Sequence, residues 1–162
     1  MSVADFKQRA KKYLKKKENN VVDTQKEIVS TAMDMLFTFS PHHPDFDFRN
    51  DEIFPGYMAT GEYDANHKIT SESISESKEI LSTGSLPLSA ALHNSEKERV
   101  HGVSDIGETV TIKNMTNHAH GVEHGYMVGG ERHGDSWKNI EAYHTYRKAK
   151  NATKSLHGNK LS

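Results

Sequence analysis

Apolar residues between positions 3 and 39 recur at steps of three, four and seven: Phe6, Ala10, Tyr13, Leu14, Val21, Ile28, Ala32, Leu36 and Phe39. That period is helical, and it predicts a long amphipathic helix at the N-terminus. Asn19-Asn20 marks a place for a bend, because Thr24 with Glu27 three residues on has the form of a capping box that restarts a helix. The helix is expected to stop at Ser40-Pro41, where proline disfavours helical geometry in the residue before it.

Residues 41–61 read as a long loop, with Pro41, Pro44, Pro55, Gly56 and Gly61 separating the aromatics Phe46, Phe48, Phe54 and Tyr57. Long irregular segments of this kind are usually functional or mobile. Residues 62–70 predict a strand, and the serine- and glutamate-rich run 71–77 an exposed stretch. A second helix is expected from Leu86 to Arg99, with Pro87 in its first turn, cations at its end, and Leu88, Ala91, Leu92 and Ser95 on its patterned face. Val110-Thr111-Ile112 alternates as a strand does. Glycines at 121, 125, 129, 130 and 134 read as turns, after which Trp137, Ile140, Tyr143, His144 and Arg147 share one face of a third helix. The class expected is α+β: a long N-terminal amphipathic helix packed with further helices on a small, mainly antiparallel sheet. One domain over 1–150 is expected, followed by a basic, disordered tail at 151–162.

Composition narrows this picture. Leu, Ile, Val and Phe account for only 31 of 162 residues, close to the level at which disorder sets in, but disorder also calls for a high net charge and here it is −1. A folded chain with a thin core follows. Zero cysteines exclude disulfides, thiolate zinc sites and thiol nucleophiles. No apolar run approaches the length of a membrane span, and the N-terminal lysines are not followed by a signal-peptide core, so a start in the cytoplasm and no membrane partner are expected.

The near-neutral total hides a segregation. Residues 1–30 carry +4, residues 31–146 carry −10 and residues 147–162 carry +5. Two basic ends around an acidic middle are most plainly solvated helix ends and a frayed tail, and they also fit nucleic-acid contact at the termini, or complementary surfaces that meet when copies associate.

Eleven histidines are the most conspicuous enrichment, and the densest group is His118, His120 and His124, with Glu123 inside it and His133 and Asp135 beyond. Imidazoles beside a carboxylate are the ingredients of a zinc-type hydrolytic centre. The spacing lacks the helical His-Glu-x-x-His form, so turn histidines are the plainer reading and a small His-dependent metal hydrolase or nuclease is the rival one. His42-His43 near Asp45, Asp47 and Asp51 is a looser version of the same idea, and a solvated loop is its plainer reading. The lysine-rich start, with Lys7, Arg9, Lys11, Lys12, Lys15, Lys16 and Lys17, can neutralise phosphates, yet these residues also flank the apolar stripe as solvated positions would. Nucleophile-elbow, phosphate-loop and dinucleotide-binding motifs are all missing from the sequence.

Between Gly107 and Gly125 the layout is specific: Val110-Thr111-Ile112-Lys113-Asn114, then Ala119, then Val122-Glu123-His124-Gly125. This resembles the signature of the tail-completion or neck proteins of long-tailed bacteriophages, small minor tail components between the head connector and the tail tube. The order of the remaining parts agrees, with a long first helix ending at Ser40-Pro41, Thr60-Gly61 leading into a strand, and a closing helix that holds Tyr143 and Tyr146. Here 18 residues, His42 to Ala59, separate the Ser-Pro from the Thr-Gly, where the family has only a few. The resemblance implies a non-enzymatic virion protein without cofactor, assembled in the host cytoplasm and located in the tail or neck. It implies a homo-oligomeric ring that meets the tail tube or tail terminator and the head connector, with DNA passing through. Glu123 and Gly125 would set a turn at the end of the sheet, and Phe46, Phe48, Phe54 and Tyr57 would be contact anchors.

Overall fold

A computed structural model describes residues 3–40, 47–48, 57–58, 62–81, 86–116, 119–129, 137–140, 142 and 144–158. Its class is α+β. Helix α1 runs unbroken from Val3 to Phe39. The helix is not interrupted at Asn19-Asn20, and Thr24 does not start a new one: its hydroxyl donates to the Asn20 carbonyl 2.9 Å away, one turn back. The segment contains neither glycine nor proline, and two asparagines alone cost too little helix propensity to stop it. The stop comes at Ser40, whose amide and hydroxyl return to Phe37 O and Leu36 O.

Strands β1 (Asp47–Phe48) and β2 (Tyr57–Met58) pair antiparallel, Phe48 opposite Tyr57, so the expected loop contains a short ladder. The strand expected over 62–70 is a helical turn, α2 (Glu62–Ala65), followed by β3 (His67–Thr70). Asn66 makes that switch: its amide nitrogen donates to Glu62 O at 2.7 Å and to Leu81 O at 2.8 Å, and its carbonyl oxygen accepts the Leu81 amide at 2.8 Å. β3 pairs antiparallel with β4 (Thr111–Asn114), His67 opposite Asn114.

Helix α3 (Leu86–Glu98) stands where expected but is turned around its axis. Leu88 is 46 % exposed, while Ser89, His93 and Glu96, spaced by four and three, are buried. His93 and Glu96 face inward because each meets a main-chain or charged partner there, as described below. A 3₁₀ turn (Arg99–Gly102) continues α3.

The histidine-rich stretch after β4 is not a strand end but a short helix, α4 (Ala119–His124). Gly125 follows at φ +77°, the left-handed conformation that closes a helix, with its amide on Gly121 O. Strands β5 (Tyr126–Gly129) and β6 (Trp137–Ile140) then pair antiparallel. Trp137 therefore begins a strand rather than the third helix. That helix, α5, is Thr145–His157, and it cannot extend upstream because His144 has φ +54°. The tail expected to be disordered from residue 151 is helical to His157: Thr153 and His157 are buried, and His157 Nε2 lies 2.9 Å from Thr31 Oγ1 on α1. With Thr145 Oγ1 donating to Phe39 O at 3.2 Å, α5 lies antiparallel along the second half of α1.

Val29, Met33 and Leu36 of α1, Ile69 of β3, Ala149 of α5, and Ile74, Val100 and Val103 form one apolar cluster. All the core residues contributed by α1 lie from Val22 onward.

Candidate functional site

Polar side chains gather where the end of α1, the start of β3, the end of β4 and the start of α5 meet. His67 is at its centre, with no exposed surface. Ser40 Oγ lies 3.2 Å from His67 Nε2, and Tyr146 OH lies 3.1 Å from His67 Nδ1. Because the Ser40 hydroxyl proton is already committed to Leu36 O at 2.7 Å, the Ser40–His67 contact requires a proton on Nε2. His67 Nδ1 is then an acceptor, and Tyr146 O–H donates to it.

The proton donors thus run from tyrosine to histidine to serine. A histidine that activates a serine must accept from it, so this chain is wired in the opposite sense to a nucleophilic dyad. Burial holds His67 in its neutral form, with its pKa pushed down to about 3, and the neighbouring His93 imidazole acts in the same direction. Burial also raises the Tyr146 and Tyr63 hydroxyls above the ordinary tyrosine range, which keeps both protonated.

His93 of α3 forms the second part of the centre. Its Nε2 is 2.9 Å from Met33 O and its Nδ1 is 3.1 Å from Asp64 O, so one ring ties α1 to α2. Burial lowers its pKa, opposed by the two carbonyls. Glu96, one turn on, accepts the Ile69 amide at 2.9 Å and lies 4.0 Å from the buried Lys68. Asn114, at the end of β4, donates to Tyr63 O at 2.7 Å and accepts from the amide and hydroxyl of Thr116 at 3.0 and 2.6 Å.

Glu123 of α4 reaches the first turn of α5. Its carboxylate accepts the Tyr146 amide at 2.9 Å and the Arg147 amide at 3.3 Å, doing what the residue before the helix, His144, does not do with its own side chain. Glu123 therefore caps a helix and does not set the turn at the end of the sheet. Gly125 does set the turn after α4. Val122 beside them is buried.

A third cluster locks two loops. Glu108 accepts from the Ser71 hydroxyl, from Ser73 N at 2.7 Å and Oγ at 3.1 Å, and from Ser104 N at 3.2 Å. These bonds, chiefly the one from Ser71, pull its pKa down to about 2.

The histidines singled out by sequence are spread differently. His120 and His124 sit one turn apart on α4 with ring centroids 4.5 Å apart, while His118, His133, His42 and His43 lie outside the described residues. Among the described residues no group of three His, Asp or Glu side chains converges as metal ligands would. Phe46 and Phe54 also lie outside, and Phe48 and Tyr57 are placed only by the β1–β2 register. In the sequence Ser40 and Tyr146 stand out only as a helix stop and a residue of the closing helix, and His67 and His93 not at all. The signal available for His93 was its i, i+4, i+7 relation to Ser89 and Glu96; for Ser40 and His67 there was none short of the fold.

Among the described residues no helix is long and apolar enough to cross a membrane. Comparison with protein-family models, curated proteins and solved structures gives no match to this chain.

Proposed function

We propose that this chain is a structural, non-enzymatic virion protein at the head–tail interface of a long-tailed phage, acting in tail completion or termination and in head–tail joining as a homo-oligomeric ring. The resemblance of residues 107–125 to the tail-completion signature carries this reading. It is supported by the work those residues do in the fold: Asn114 ties β4 to Tyr63, Val122 is core, Glu123 caps α5 and Gly125 closes α4. A signature built of such residues marks an architecture, and the chemistry of the site is that of a scaffold.

The test is genetic. In a phage that encodes this chain, deletion of its gene should leave filled heads and full-length tails unjoined in electron micrographs, with joining restored by a plasmid copy. Joined, infectious particles in its absence would overturn the reading. Stoichiometric zinc or manganese in the purified protein, lost with a hydrolytic activity in His120→Ala, would replace it with the metal-hydrolase alternative.

A further inference from the structure

The first half of α1 is an apolar and strongly charged surface that the other described residues do not cover. Val3, Phe6, Tyr13, Leu14 and Val21 are 48–73 % exposed, and the first buried residue of the helix is Val22. Residues 3–21 span about 28 Å at 1.5 Å per residue. Over that length Val3, Phe6, Ala10 and Tyr13 follow a three–four spacing, with Leu14 beside Tyr13, so the apolar atoms form one stripe. A contiguous stripe of this kind on a soluble domain marks a contact surface.

Charge selects the occupant. Residues 3–21 carry +5, from seven basic and two acidic side chains, and the side chains of residues 62–112 that are not buried carry −3, from six acidic and three basic. Two such helices laid against each other would set like charges side by side, which disfavours arm-to-arm pairing. The body offers the complement. Glu72, Glu79 and Asp105 form no ion pair with a described residue, whereas Glu76 and Glu98 are already engaged by Lys113 and His101. Ile80 and Ile106 stand exposed at 43 % and 52 % next to Glu79 and Asp105. The two loops that hold Glu72 and Asp105 are joined by the Ser73–Ser104 hydroxyl bond at 2.9 Å and by Glu108. The part of this surface around Glu72, Asp105 and Ile106 is therefore acidic, partly apolar and tied together, and Glu79 and Ile80 lie further along the same 71–81 segment.

We infer that residues 3–21 of one copy dock on the acidic face around Glu72, Glu79 and Asp105 of a second copy. The contact is heterologous, the donor surface differing from the acceptor, so it propagates head to tail and closes into a ring when the rotation permits. The inference rests on the self-assembly in the proposed function and not on its location in a virion.

Light scattering on the full-length protein tests it. Wild type should rise in mass with concentration, and 1 M salt should weaken the association without abolishing it, since screening removes the charge contribution and leaves the apolar stripe. K11E/K12E/K15E/K16E and, separately, E72K/E79K/D105K should each weaken association tenfold or more while circular dichroism retains the helix content. Mixing the two variants should restore it, because each then meets its complement in the other. A monomer at all concentrations, an unchanged mass for the arm variant, or a mixture that does not recover would overturn the inference. So would an arm whose charge reversal abolishes only duplex DNA binding. Self-association through the arm in a protein whose deletion leaves heads joined to tails would sink the virion role and leave this contact standing.

Discussion

Glu123 Oε2 stands 2.9 Å from the backbone amide of Tyr146, across 23 residues of chain, so the N-terminus of the last helix is capped by a carboxylate from the helix before it. Free amides at a helix start carry partial positive charge, and a carboxylate there satisfies both the hydrogen bonds and the dipole. Glu123→Ala should lower unfolding stability by about 1 kcal/mol, the usual cost of a lost cap, and Glu123→Gln by about half of that because one acceptor survives. Urea denaturation of the two variants measures the difference.

Acid should destabilise the protein well before its carboxylates titrate. The unfolded chain takes up a proton at His67 near pH 6.5, but the folded chain resists it until about pH 3. Stability from this residue is complete above 6.5 and is lost progressively as the pH falls towards 3, with a slope of about one proton; the downward shift of His93 adds to it. Thermal midpoints between pH 7.5 and 5 should show the fall, and His67→Gln should flatten it.

A second acid transition belongs to Glu108. Its carboxyl protonates near 4.5 when unfolded and near 2 when folded, so what it contributes is present above 4.5 and disappears towards 2. Glu108→Ala should release the segments at 71–75 and 103–106 at neutral pH. Faster amide exchange at Ser73, Ser104 and Asp105, with slow exchange retained at Ile69, is the expected pattern.

Turning α3 so that its polar residues face inward makes an unusual prediction. Leu88→Lys, on a leucine nearly half exposed, should change stability by no more than about 0.5 kcal/mol. His93→Leu, which is apolar and of similar bulk, should cost about 1–3 kcal/mol, since it strips hydrogen bonding from the buried carbonyls of Met33 and Asp64. Chemical denaturation of the pair would reverse the ranking if the leucine face were the buried one.

Periodicity made α1, α3 and β4 legible, because each is a local pattern with its own start and stop residues. It failed where tertiary partners decide. A strand was expected through 62–65, but Asn66 bonds to Leu81, fifteen residues away, and stabilises a turn that no local propensity encodes. The helix expected from Trp137 begins instead at Thr145, since His144 adopts a left-handed conformation. The α3 face was misread because burial usually follows hydrophobicity, and here the interior of the helix interface is built from Ser89, His93 and Glu96. Glu123 and Gly125 were picked out by resemblance; the turn expected of them is made by Gly125 alone, and the reach of Glu123 to α5 lay beyond any sequence pattern.

Helix α1 contains neither glycine nor proline from Val3 to Phe39, so it has no hinge. At about 1.5 Å per residue it is a beam roughly 55 Å long, clamped at one end by Met33 and Leu36 in the core. Whatever seizes the free end pushes directly on the clamp. The residue count of the beam then acts as a ruler: seven residues added between Val3 and Val21 keep the apolar stripe in phase and lengthen its reach by about 10 Å, whereas five added residues would turn the stripe away from its target.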